Sequence, residues 1–419
     1  MGVTKLKPSL NEDYNVKHAN VLHVLFAITA FLEFNPYFIW HDNRILYYGI
    51  ATLTIFAFGI TVINNDIRMD RIGVKMSFVA ALIILYYYNT GTINTLETLL
   101  RSIPFYLFLA LLGKDKRKVF QILSYIFAIT IIPTLILYLI HQMGINPEWE
   151  YLVPANPLKA AKGVYYKQFL GSVKIAYSYS KPLSGLYRAQ GMFDEPGLLG
   201  TVAALILIAD GYKLKNNFKN IVIMIGGLIS FSFAFYVLSV VYLGLKHTYK
   251  FIPILIVFLI LASLFNMGIL EDPFLEKYIF NRFKIEDGSF AGDNRTTRNF
   301  DIEFNNFLHS DISTILFGKG AGAGKRNPAM QGSSSWKMSL YNRGILGLLM
   351  LILFPIIGTI VFSKTKEGYY LLFMFLLSVY QRPNILNLGY MSILFGGLSN
   401  LNGYLKVKKQ AKESGNVNF

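Results

Sequence analysis

Apolar runs alternate with short polar intervals along nearly the whole chain. Most of the runs have about the length that crosses the hydrocarbon core of a bilayer, near 20 residues. In order they are Val21–Trp40, Ile45–Ile63, Ile72–Tyr88, Thr95–Leu112, Val119–Ile140, Pro196–Tyr212, Phe251–Leu270 and Leu340–Phe362, followed by two shorter ones, Tyr369–Tyr380 and Leu388–Leu405. The run Ile221–Leu245 is too long for one span and too short for two. Lys213, Lys215 and Lys219 precede it, and Lys246, His247 and Lys250 follow it. Basic residues on both sides ask for an out-and-back pair of short helices turning near Ser230–Ser232. Broken helices at membrane depth need protein or a water-filled cavity over their exposed backbone, so this stretch points to a central cavity. The pattern predicts an all-α, polytopic helical membrane protein with about twelve membrane-spanning segments, some short or broken, forming one integral membrane domain.

Two polar intervals are too long to be simple connectors, 141–195 and 271–336, and loops of that length are usually functional or disordered. The first carries six tyrosines between Tyr151 and Tyr187 with four prolines, an aromatic content that argues against disorder. Tyrosines also anchor at bilayer interfaces, so they fit either a binding surface or a belt. The basic intervals Asn64–Arg71, Lys114–Lys118 and the tail after Leu405 mark one side of the membrane, by the positive-inside pattern the cytoplasmic one. Both long intervals then face outward and both termini inward.

Composition agrees with this reading. Apolar residues make up 53% of the 419 residues and charged ones 15%, against about 25% charged in soluble domains. The net charge of +16 suggests nucleic acid, but the basic residues lie in short clusters between apolar runs, so no nucleic-acid partner is expected. The polar start to Asn20 and the long, acid-bearing first run do not have the form of a cleavable signal peptide. There is no cysteine, which removes disulfides, thiolate metal sites and cysteine nucleophiles. The six histidines are scattered, and no metal site is expected.

The chemistry concentrates around Tyr187–Gly200, YRAQGMFDEPGLLG, where a polar interval becomes a membrane run. Pro196 suits the first position of a helix, where its missing N–H costs nothing. Asp194 or Glu195 is placed either to cap that helix or to act as a general base toward a hydroxyl. Charges near membrane helices persist when they pair, snorkel or serve a ligand. Four outward arginines stand out: Arg188, Arg295, Arg298 and Arg382. Arg295 and Arg298 are three apart and would share one face of a helix. A guanidinium fork binds phosphate oxygens bidentately, so a cluster of them suits a lipid-linked diphosphate; singly, each fits a salt bridge or a headgroup contact. The segment FGKGAGAG at Phe317–Gly324 lacks the lysine-serine/threonine ending of a nucleotide loop and reads as a tight, flexible turn, with Lys319 placed to touch an anionic substrate. No inverted repeat is visible, which disfavours a transporter.

Taken in order, FDEPG after an arginine, the arginine pair of the second interval, FGKGAG, SSW, RGILG entering a span and the outward QRP resemble the O-antigen polymerase and ligase superfamily, from about Arg188 to Pro383. The resemblance implies a multi-pass protein of the bacterial inner membrane. It would transfer a glycan from undecaprenyl diphosphate to a sugar hydroxyl at the outer face, with no metal and no other cofactor. A flippase and a chain-length regulator would be its protein partners. In the ligases a histidine precedes the GxLG motif; counted back from Gly344, the matching position here is Ser333, which favours a repeat-unit polymerase over a ligase. On that basis Arg188, Arg295, Arg298 and Arg382 would hold the diphosphate, Glu195 or Asp194 would take the proton, and Tyr187, Lys319 and Trp336 would contact sugar.

Overall fold

A computed structural model describes residues 16–40, 44–89, 93–145, 147–154, 163–177, 187–246, 285–286, 289–290, 297–330, 335–363, 365–380, 382–383 and 385–403. The expected span Phe251–Leu270 lies outside these residues.

The described chain is mostly helical. Its helices are α1 (Val16–Leu32), α2 (Tyr37–Trp40), α3 (Arg44–Ile63), α4 (Arg71–Tyr88), α5 (Ile93–Arg101), α6 (Ile103–Ala110), α7 (Gly113–Gln142), α8 (Pro196–Ala209), α9 (Phe218–Ile229), α10 (Phe233–Lys246), α11 (Arg298–Leu308), α12 (Ile312–Phe317), α13 (Ala323–Arg326), α14 (Trp336–Phe362), α15 (Lys366–Val379) and α16 (Leu388–Met391), which continues helically through a π-turn at Ser392–Gly396. Four stretches are long and apolar enough to cross a membrane: Ile45–Ile63, Arg71–Tyr88, Gly113–Gln142 and Trp336–Phe362. Others are apolar but shorter, among them Asn20–Leu32, α8, α9 and α10. Among the described residues, then, four apolar helices are long enough to span and the rest are short.

Prolines and polar residues account for several differences from the apolar pattern. The run Val21–Trp40 breaks at Asn35–Pro36, since proline supplies no N–H and pushes its predecessor out of the helical region. The run Thr95–Leu112 divides at Ser102, with Pro104 in the first turn of α6. The cluster Lys114–Lys118, expected as a loop, instead forms the first turns of α7.

α8 is the axis of the bundle. Leu199 and the residues from Val202 to Ala209 are fully buried, because α9, α10 and α15 pack around them. At the C-terminal end of α8, Lys219 reaches Asp210 and Lys246 reaches the Gly211 carbonyl. At its other end, Gly200 faces the turn between α9 and α10: a Cβ there would lie 2.3 Å from the Ser232 Cβ. Thus α9 runs out against α8 and α10 returns along it, turning at Ser230–Ser232 as the flanking lysines predict. The other helices fix two ends for the whole bundle. At one end, called here the basic end, lie the start of α7, with Asp115 hydrogen-bonded to His23 at 3.1 Å, and Asp210.

At the opposite end the interval 141–195 contains a three-stranded antiparallel sheet, β1 (Glu150–Leu152), β2 (Val164–Phe169) and β3 (Ser172–Tyr177). The all-α expectation is corrected to this extent. Leu170 and Gly171, both at positive φ (50° and 78°), form the tight turn that joins β2 to β3. Ser172 donates a hydrogen bond to the Thr134 hydroxyl of α7 at 3.0 Å, anchoring the hairpin in the bundle. A further short hairpin pairs β4 (Ile285–Glu286) with β5 (Ser289–Phe290). A second apolar cluster of Phe300, Phe304, Phe307, Met330, Leu340 and Tyr341 holds α11 to the start of α14.

Candidate site at the head of the buried helix

Residues 187–195 are held by backbone groups and by one tyrosine hydroxyl. Ala189 donates its N–H to the Ile229 carbonyl at the tip of the α9–α10 hairpin, and Val173 of β3 donates to Gly191. Tyr37 of α2 donates to the Met192 carbonyl, and the Tyr166 hydroxyl of β2 donates to the Asp194 carbonyl at 3.0 Å. Elements from four parts of the chain thus fix the segment that delivers Glu195 to the start of α8.

Glu195 occupies the N-cap position with extended backbone (φ −144°, ψ 133°), yet its side chain makes no capping hydrogen bond. The expected choice between cap and reactive carboxylate is thereby narrowed, since the carboxylate turns to Arg382. The Arg382 Nη2 donates to Glu195 Oε2 at 2.9 Å across 187 residues of sequence. Both side chains are largely covered, with 17% and 32% exposure for Arg382 and Glu195. The Arg382 backbone N–H donates to the Ser378 carbonyl at the end of α15. Its buried Nε has no acceptor among the described residues. A buried donor left without an acceptor costs about 1–3 kcal/mol.

Arg188 donates from Nε to the Ser230 carbonyl at 3.2 Å, at the same end of α8. Arg188, Asp194, Glu195 and Arg382 are therefore gathered around one helix terminus. The rest of the expected constellation is arranged differently. α11 begins at Arg298, with Thr297 in extended backbone as its N-cap. Arg298 is exposed, and Arg295 lies outside the described residues. Its helix packs on α12, α14 and the Pro328–Met330 turn. Lys319 pairs with Glu303 at 3.3 Å and lies over the Tyr341 ring, while Trp336 sets its edge against Phe304. The Tyr341 hydroxyl also donates to Glu303 and is the chief cause that holds the Glu303 carboxyl below the usual carboxylate range.

Tyr187 is 9% exposed, and its ring is taken up by Tyr138, by the edge of His141 and by Lys174 at 4.2 Å. In this structure it is a packing residue, not an open face for a sugar. Burial first, and then the charge of Lys167, lower the Lys174 amine to about 8. The unfolded chain then holds more protons than the folded one between about 8 and the usual lysine range, so this residue's contribution to stability rises with pH through that window. Lys174→Met should raise the melting temperature of the detergent-purified protein at pH 7.5, with the difference from wild type shrinking toward pH 10. A difference that does not change with pH would contradict this.

The glycine-rich segment is a tight turn, as expected, but a fixed one. Lys319 and Gly320 donate backbone N–H groups to the Tyr341 and Asn342 carbonyls. Gly318 (φ 77°, ψ 178°) and Gly344 (φ 64°, ψ −172°) both adopt backbone essentially reserved for glycine. A Cβ on Gly344 would lie 2.2 Å from the Leu316 carbonyl oxygen. The FGKGAG and RGILG segments, adjacent only in space, thus lock together and kink α14. Gly344→Ala should cost about 1–3 kcal/mol from strain alone. The check is the fraction of monodisperse protein after heating, and equal survival of mutant and wild type would contradict the lock. Arg343 beside it caps α4, donating to the Tyr87 and Asn89 carbonyls.

The reading of the sequence did not single out Glu33. Its carboxylate accepts from the Tyr47 hydroxyl at 2.8 Å and from the Gly389 N–H at the start of α16. The acid in an otherwise apolar run was the signal that could have found it.

The site defined so far is a carboxylate–arginine pair at the head of a buried helix in a helical bundle. No protein-family model, no curated protein and no solved structure matches the chain, so the geometry stands by itself.

Proposed function

We propose that the protein is a glycosyltransferase of the outer membrane face that joins polyprenyl-diphosphate-linked repeat units into a polysaccharide, as O-antigen or capsule polymerases do. About twelve crossings, both termini inside and a bacterial inner-membrane location belong to this reading. The observation that carries it is the contact between Glu195 and Arg382, two residues singled out separately for complementary roles and paired at 2.9 Å.

The pair suggests an order of events. A diphosphate is a stronger partner for a guanidinium fork than a single carboxylate oxygen is. Its arrival at Arg382, with Arg188 nearby, draws the guanidinium from Glu195 and satisfies the buried Nε. The Glu195 carboxylate, or Asp194 beside it, then accepts the proton of the attacking sugar hydroxyl. The hydroxyl oxygen bonds to the anomeric carbon of the donor as the bond to the diphosphate breaks, and the lipid diphosphate leaves with its charge held by arginine. The anomeric configuration inverts. Arg295 and Arg298 would add contacts to the diphosphate from the second interval, and Lys319 and Trp336 would contact sugar there.

The test is turnover of synthetic polyprenyl-diphosphate-linked repeat units by purified protein. A ladder of products spaced by one repeat unit supports a polymerase. Transfer to lipid A–core makes the protein a ligase, and no bond formation with transbilayer movement of the substrate makes it a transporter.

A further inference from the structure

At the basic end, about 45 Å along α7 from its Gln142 terminus by helix rise, a half-open cleft of about 600 Å³ is lined by Lys114, Arg117, Lys118, Gln121, Ser399 and Asn402. That volume falls within the usual range for a small-ligand site. The cleft lies at the other end of the bundle from Glu195 and Arg382. None of the described residues that line it is acidic. The one acid within the basic cluster, Asp115, is turned to His23. Lys114, Arg117 and Lys118 also stand on the first turns of α7, where the helix dipole adds positive potential.

Two buried atoms of the cleft residues lack partners among the described residues, and they are complementary. The Arg117 Nε is a donor with no acceptor, and the Asn402 Oδ1 is an acceptor with no donor. The Asn402 amide nitrogen is used, donating to the Phe362 carbonyl at 2.7 Å, so the orientation that leaves Oδ1 unsatisfied is fixed by a hydrogen bond. Gly403 makes room for the arginine head, since a Cβ there would lie 2.5 Å from Arg117 Nη1. Phe362 gives the cleft an apolar wall beside its cations.

We infer that this cleft is a binding site for a phosphate-bearing anion that also carries a hydroxyl donor, and that its source is an anionic phospholipid headgroup such as that of phosphatidylglycerol. The phosphate oxygens accept from the Arg117 guanidinium and lie within the positive field of Lys114 and Lys118. A headgroup hydroxyl donates to Asn402 Oδ1. The glycerol and upper acyl chain lie along Phe362. A cluster of basic residues beside an apolar surface has the chemistry that selects anionic lipid, each cation near the surface adding a modest and roughly additive attraction.

The experiment is native mass spectrometry of the full chain in detergent with added phosphatidylglycerol, phosphatidylcholine or inorganic phosphate. Phosphatidylglycerol should be retained over phosphatidylcholine, and each cation removed in Lys114→Gln/Lys118→Gln should weaken retention about fivefold. Those two side chains are exposed, so the variant should fold. Gly403→Val keeps every charge but displaces the Arg117 head, and it should weaken retention as well. Equal retention of both lipids, or retention unchanged in both variants, overturns the site. Displacement by millimolar inorganic phosphate with no phosphatidylglycerol retained overturns the lipid source and assigns the cleft to a soluble phosphate compound.

Discussion

Arg382→Ala and Glu195→Gln should each abolish polymer formation while leaving the protein inserted in the membrane. The two losses have different causes. In the proposed reaction Arg382→Ala removes the guanidinium that would stabilise the departing diphosphate; loss of a single such electrostatic group typically costs about 100- to 1,000-fold in rate. Glu195→Gln keeps size and shape but removes the proposed proton acceptor, an effect of about 100- to 10,000-fold. The double variant should be no worse than the more damaged single one, because the two groups act on one transition state. Turnover of lipid-linked repeat units by purified variants measures this. Full-length polymer from both single variants would remove the chemical role of the pair.

The second large effect is on stability, at the basic end. Asp210 caps the C-terminus of α8 and is largely covered. One carboxylate oxygen accepts from Lys219 at 3.0 Å and Asn220 at 2.8 Å, the other from Asn400 at 3.0 Å. This one side chain thereby ties together the ends of α8, α9 and the helix that continues α16. Burial pushes its carboxyl upward, but the Lys219 charge and these hydrogen bonds outweigh it and hold the group below the usual aspartate range. Asp210→Ala leaves the Lys219 ammonium, only 8% exposed, without its counter-charge. Breaking a buried pair from one side costs about 3–5 kcal/mol. Lys219→Met should cost less, because Asp210 keeps its amide donors. The sign with pH follows from the lowered carboxyl: the contribution is complete above the ordinary aspartate value and is lost as pH falls through the lower folded value. Thermal unfolding in detergent of Asp210→Ala, Lys219→Met and wild type reads this order. Melting of Asp210→Ala at the wild-type temperature would show that the cluster adds nothing.

What could be read in the sequence was set by how local its physical cause is. The turn at Ser230–Ser232 was legible because lysines flank the run on both sides, which by the positive-inside pattern asks for an out-and-back pair. The start of α8 was legible because a proline follows an acid at the edge of an apolar run. The kink at Gly344 was not, since the need for glycine there comes from the Leu316 carbonyl. Nor was the sheet, where the tyrosines of β1 and β2 had equally good explanations as interface anchors. Glu195 and Arg382 were each legible as candidates, but their pairing depends on where α15 ends relative to the head of α8. The tie at Asp210 was hidden for the same reason, with two of its partners nearby in sequence but Asn400 distant.

The most direct measurement exchanges the charges, placing Arg at position 195 and Glu at position 382 in one chain. If the pair serves a diphosphate and a proton transfer, Glu195→Arg/Arg382→Glu recovers the folded yield lost in the single exchanges and forms no polymer from lipid-linked repeat units. Polymer at the wild-type level from the exchanged pair would show that the two side chains only hold the helices together, and would contradict the proposed chemistry.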